Sequence, residues 1–203
     1  MISVIDYGVC NLGSMLNMLR KVGAQAQLVS TAEEMERAEK LILPGVGAFD
    51  NGITALRERG LAEPLRRKVL EDKVPLLGVC LGMQMLGRRS EEGSMDGLGL
   101  IDAEARRFRF SPDSPHKVPH MGWSRVAPKR DSPLLRELAA RSRFYFCHSY
   151  HLVCSDPGDV LASATYGDDF VAMLQRGIVY GALFHPEKSH RFGMALLHNF
   201  AEM

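Results

Sequence analysis

The sequence predicts a single α/β domain built on a mixed, largely parallel central sheet, and three observations carry that prediction. Short, nearly all-apolar runs at Ile2 to Ile5, Leu41 to Leu43 and Pro75 to Val79 are separated by helical or polar stretches. That pattern belongs to parallel strands covered on both faces. Past Gly99 the texture changes to alternating patterns broken by Pro and Gly, which reads as antiparallel strands and hairpins. Finally, 203 residues of which 46% are hydrophobic and 24% charged suit one packed core rather than a disordered chain.

Taken in order, Ile2-Ser3-Val4-Ile5 is the first strand and runs into Asp6-Tyr7-Gly8. Leu12, Met15, Leu16, Leu19 and Val22 then recur at helical spacing, and Gly23 closes the series. Gln27 to Val29, Leu41 to Leu43 and Pro75 to Val79 read as the next three strands. Ala103 to Phe108 and Arg143 to Phe146 carry the alternating pattern, while Phe110 to Lys117, with Ser111-Pro112-Asp113-Ser114-Pro115, reads as a loop. The apolar patterns flanking that loop are too short for separate cores, so residues 1–203 are read as one domain. Ile178 to Phe184 is a further strand and Arg191 to Met203 an amphipathic closing helix.

Bulk properties exclude several function classes. With 25 Lys and Arg against 24 Asp and Glu, no general positive field is available to hold a phosphate backbone, so nucleic acid is not an expected partner. No run approaches the ~18 apolar residues of a membrane span, and the start of the chain leaves no room for a secretory leader. A cytoplasmic protein is expected, with no membrane partner. Cys10, Cys80, Cys147 and Cys154 lack Cys-x-x-Cys spacing and are read as thiols rather than disulfides. Cys10, Cys147 and Cys154 lie in or beside apolar stretches and read as packing residues. His116, His120, His148, His151, His190 and His198 never pair at zinc-ligand spacing with acids or thiols, so neither a metal nor another cofactor is predicted.

In open α/β sheets chemistry collects beyond the carboxyl ends of the strands, which directs attention to four loops. One holds Gly78-Val79-Cys80-Leu81-Gly82, a strand-to-helix turn that matches a nucleophile elbow with Cys in place of Ser. Side chains at positions 78 and 82 would collide with the tight turn. The following helix start favours thiolate at Cys80, and the Leu81 N–H is placed to meet an arriving carbonyl oxygen. Another holds His185-Pro186-Glu187, where His185 can accept the thiol proton and Glu187 can orient the imidazole. In the third, Pro44-Gly45-Val46-Gly47, the Val46 N–H can serve as a second oxyanion donor, and the flanking glycines permit the peptide to flip. Each feature alone also fits a bland role: a buried thiol, a structural histidine, a surface carboxylate, a plain turn. Their coincidence at strand ends favours the catalytic reading.

Together, Pro44-Gly45-Val46-Gly47, Gly78-Val79-Cys80-Leu81-Gly82-Met83-Gln84 and His185-Pro186-Glu187-Lys188-Ser189 resemble the class I (triad) glutamine amidotransferases. Asp6-Tyr7-Gly8 with Asn11, Pro119-His120-Met121-Gly122-Trp123 and Phe146-Cys147-His148-Ser149-Tyr150 look like the glutaminase subunits of imidazole glycerol phosphate synthases, and the resemblance covers nearly the whole chain. The resemblance implies the three-layer fold of that class, with L-glutamine as substrate and Cys80, His185 and Glu187 as the triad. It implies oxyanion donors at Val46 and Leu81, and glutamine held by Gly47, Gln84, Ser149 and Tyr150. The implied partner is a (β/α)8 cyclase subunit that forms a heterodimer and receives ammonia for imidazole glycerol phosphate formation in histidine biosynthesis. Asn11, Met121 and Trp123 are expected at that interface. Cys10 and Ser124 depart from the family pattern of Gly and Asn, in segments expected near the partner. Similar proteins supply ammonia to sugar-modifying enzymes of surface polysaccharide synthesis, which is the alternative pathway. Cysteine peptidases and stress-response hydrolases on related sheets would leave Gln84 and the Trp123 segment without a role, and a purely docking subunit would leave the intact triad without one.

Overall fold

A computed structural model describes residues 1–136, 138 and 142–203. The first half alternates strand and helix: β1 (Ile2–Ile5), α1 (Leu12–Lys21), β2 (Ala26–Val29), α2 (Ala32–Glu36), β3 (Lys40–Gly45), α3 (Phe49–Glu58), α4 (Ala62–Leu70), β4 (Leu76–Cys80) and α5 (Leu81–Met85). The second half is mostly antiparallel: β5 (Arg89–Ser90), β6 (Ala103–Arg107), β7 (His120–Arg125), β8 (Ala127–Pro128), β9 (Arg143–His148), β10 (Tyr150–Cys154), β11 (Val160–Tyr166), β12 (Asp168–Arg176) and β13 (Val179–Ala182). Helix α6 (His190–Glu202) closes the fold.

The central sheet runs β2-β1-β3-β4-β13-β12-β11-β8, parallel from β2 through β13 and antiparallel from there to β8. Every residue of β1, β4 and β13 is buried, as the nearly continuous apolar runs of the first two require. The helices that connect the parallel strands fall into two packed groups. Helix α1 packs beside α6, while α4 packs against α2 and α3, and α3 against α5. The result is a three-layer single-domain α/β fold. Strands β10-β6-β5 form a small second sheet, and β7 pairs with β9.

Three details depart from the sequence reading. The segment around Trp123, for which the sequence suggested no strand, is strand β7, in register with β9 from His120 opposite His148 to Arg125 opposite Arg143. Strand β13 ends at Ala182 rather than Phe184, although the Leu183 N–H still donates to the Ala172 carbonyl. Helix α5 is only Leu81–Met85, so what it offers the elbow is local: the unbonded N–H groups of its first turn rather than a long aligned dipole. No helix among the described residues is long and apolar enough to cross a membrane.

Candidate active site

The elbow forms where β4 delivers Cys80 directly into α5. Cys80 takes φ +53° and ψ −112°, a strained conformation for a residue with a side chain. The glycines around it are required by contact. A Cβ at Gly82 would overlap the Leu43 carbonyl oxygen, and one at Gly78 would lie 2.9 Å from the Gly82 carbonyl. These close approaches let β3, β4 and α5 meet at one point, and the Cys80 thiol is buried beside them.

His185 stands three residues beyond β13. Its backbone N–H donates to the Tyr145 carbonyl at 2.9 Å, and its own carbonyl accepts from Ser189 Oγ at 2.6 Å, which ties the residue to β9 and to the start of α6. The intervening Pro186 begins a short 3-10 turn that places Glu187 against the ring, with His185 Nδ1 and Glu187 Oε1 2.8 Å apart. Both side chains are almost fully buried, 4% and 6% exposed. Burial alone lowers the imidazole, but the hydrogen bonds and negative charge offered by Cys80 and Glu187 outweigh it and hold His185 well above its ordinary value, at about 10. The carboxylate accepts from Nδ1–H, which leaves Nε2 for exchange with the thiol.

Cys80 and His185 line one cleft of about 320 Å³, together with Val46, Gly47, Leu81, Gln84, Ser149 and Tyr150. The structure thus gathers the expected nucleophile, base, oxyanion donors and glutamine-holding residues at one place. Met121 and Trp123 lie instead on the outward face of β7, 61% and 44% exposed, with the indole stacked on His190 at 5.5 Å. Asn11 is exposed at the start of α1.

Val46 shows a specific restraint. Its N–H donates to the Val9 carbonyl at 3.2 Å, so this donor is engaged and unavailable to an oxyanion. The base of the same loop is clamped: buried Tyr7 donates to the Pro44 carbonyl at 2.7 Å, and burial raises that phenol so that it stays protonated. The tip is free by comparison. Gly47 sits at φ +98° with only the Val9 side chain near the position of a Cβ, and the Val46 N–H belongs to the Gly45–Val46 peptide, which follows a glycine with no side chain to oppose its rotation.

Four further lining residues, Glu92, Pro119, Cys147 and His148, were given no part in the cleft by sequence reasoning, which read Cys147 as a packing residue. Lys188, part of the motif but given no role there, also lines the cleft. Glu92 enters because its carboxylate accepts from the Phe49 N–H at 2.8 Å, a contact across 43 positions that no local pattern announces. His148 stood within the Phe146-to-Tyr150 motif, which was the available signal, and the structure sets it on β9 opposite His120.

The family model of class-I glutamine amidotransferases matches residues 3–203. Over 203 residues, covering all of both chains, the sequence is 54% identical to imidazole glycerol phosphate synthase subunit HisH 2 of Pseudomonas aeruginosa. It is 46% identical to the subunit of the same name from Methanococcus maripaludis, over 98% of each chain. Among solved structures, PurLQS from Thermotoga maritima superposes with a TM-score of 0.76 at 18% identity, covering 99% of this chain and 97% of that one, a likeness of fold.

Proposed function

The chain belongs to the class-I glutamine amidotransferase family, and from that premise we propose that Cys80, His185 and Glu187 hydrolyse L-glutamine to feed ammonia to a synthase partner. Its relatives make it the glutaminase subunit of imidazole glycerol phosphate synthase, in histidine biosynthesis. The observation that carries the mechanism is the single cleft in which a strained Cys80 meets the buried His185–Glu187 pair.

In this mechanism the proton of the Cys80 thiol rests on His185, as its raised imidazole requires, and the sulfur attacks the side-chain amide carbon of glutamine. The tetrahedral oxyanion is held by the Leu81 N–H and, once its bond to Val9 is released, by the Val46 N–H. The C–N bond then breaks as His185 returns its proton to the leaving nitrogen, giving ammonia and a glutamyl thioester. Water, deprotonated by His185, attacks the thioester and frees glutamate and the Cys80 thiol. Glu187 holds the imidazole in its tautomer and stabilises the imidazolium at both steps. Gln84, Gly47 and the Ser149–Tyr150 segment hold the substrate, and Glu92 offers its carboxylate to the α-ammonium.

Ammonia released into water is protonated and loses its nucleophilicity, so hydrolysis must be coupled to an acceptor. The partner that fits is a (β/α)8 cyclase forming a heterodimer against Met121, Trp123 and Asn11. Co-purifying the chain with its genomic neighbour and measuring glutamine-dependent product formation tests the assignment. A cyclase that yields imidazole glycerol phosphate supports it, and a sugar-modifying enzyme in its place overturns it.

A further inference from the structure

A hydrogen-bond chain runs through the second half of the fold from the strand that carries Trp123 to the wall of the cleft. His120 and His148 face each other across β7 and β9, with Nδ1 of the first 3.1 Å from Nε2 of the second. At one end His148 Nδ1 lies 2.9 Å from the Tyr150 carbonyl, and at the other His120 Nε2 lies 3.0 Å from Ser124 Oγ. The two imidazoles are 2% and 5% exposed. Desolvation lowers both, to about 4 for His120 and about 3 for His148, so each ring is neutral and carries one proton.

Neutrality fixes the direction of every bond. The Tyr150 carbonyl can only accept, so His148 carries its proton on Nδ1. Its Nε2 is then an acceptor, and His120 must donate from Nδ1. His120 Nε2 is left to accept, and the Ser124 hydroxyl donates to it. The rings have little freedom to depart from this arrangement: His120 is stacked on Tyr166 with centroids 4.0 Å apart and on Phe146 at 5.1 Å.

From this geometry we propose that Ser124 and His120 are positioning residues for the glutaminase reaction, acting through His148 to fix the Ser149–Tyr150 segment on which glutamine rests. The Ser149 carbonyl is held independently by the Phe108 N–H at 3.0 Å, so the Tyr150 carbonyl is the part of the segment that depends on the chain. Strand alternation also joins this chain to the exposed surface. On β7, His120 and Ser124 point inward while Met121 and Trp123 point outward, so a shift of the strand moves both sets. The proposal rests on the reading of the cleft as a glutamine site.

The test uses the full chain bound to its synthase partner, with L-glutamine as substrate. Ser124→Ala removes the terminal donor and is expected to raise KM about threefold to tenfold, the worth of one neutral hydrogen bond, with kcat within about twofold. Ser124→Thr restores the hydroxyl and is expected to return KM to the wild-type value. An unchanged KM in Ser124→Ala, or the same rise in Ser124→Thr, overturns the proposal. Nitrogen-15 NMR of the imidazoles gives a readout that needs no substrate: both His120 and His148 are expected as Nδ1–H tautomers, and an Nε2–H tautomer at either contradicts the chain. Failure of the glutamine reading is separate, since it shows as a wild-type complex that releases no glutamate.

Discussion

The Val46 N–H and the Val9 carbonyl, 3.2 Å apart, form the bond that keeps one oxyanion donor occupied. Tyr7 fixes the neighbouring Pro44, so release of the donor requires rotation of the Gly45–Val46 peptide, which carries the Val46 N–H and follows a glycine. The chain by itself is therefore predicted to be a slow glutaminase. Glutamate release should rise by roughly 10²–10³ when the partner and an acceptor-substrate analogue are added, the value of one such donor. Equal rates for the free chain and the liganded complex would remove the switch.

The His185–Glu187 pair sets the order of two losses. Glu187→Gln keeps the base and an acceptor oxygen near Nδ1, so it should cost less activity than His185→Ala, which removes the base. Single-turnover glutamate release checks this, and equal losses would contradict the roles.

The same pair makes stability depend on pH. His185 holds its proton more tightly folded, at about 10, than its ordinary value of 6.5. Its stabilising contribution is complete below 6.5 and declines as pH rises toward 10, because the unfolded chain loses the proton first. Denaturant midpoints should thus converge between wild type and His185→Ala across that window. A constant gap would contradict the raised imidazole.

His120 and His148 act with the opposite sign. Both are depressed by burial, to about 4 and about 3, so the unfolded chain binds protons that the folded chain refuses as pH falls below 6.5. Wild type should lose stability between neutral pH and pH 4 more steeply than a His120→Phe, His148→Leu double variant. Parallel pH profiles would refute this.

Trp123 is 44% exposed and rests on His190 rather than in the core. Trp123→Ala is expected to weaken the complex by about 2 kcal/mol, the scale of an aromatic anchor. The melting temperature of the free chain should hardly change. A destabilised free chain with unaltered partner affinity would show a structural role instead.

Much of the fold was legible because its parallel strands are buried on both faces and therefore continuous in apolar residues, as in Leu41 to Leu43. The hairpin of β11 and β12 was not: Ala162, Ser163 and Ala164 carry little polarity contrast, and register shifts on either side of Ala162 break the alternation. Strand β7 was hidden by Gly122 and by Pro119 just before it. Among cleft residues, Cys80 and His185 were legible because strand ends and elbow glycines are local patterns. Glu92 was not, since only the approach of Phe49 places it.

The central claim is that Cys80 is the nucleophile, and glutamate release by a Cys80→Ala chain in the partner complex tests it most directly. Circular dichroism and co-purification should show an intact fold and an intact complex, since the substitution removes one sulfur. The predicted result is a fall of about 10³-fold or more, because the substitution removes the thiol that the elbow presents. A variant that releases glutamate at the wild-type rate while folded and bound would contradict the account.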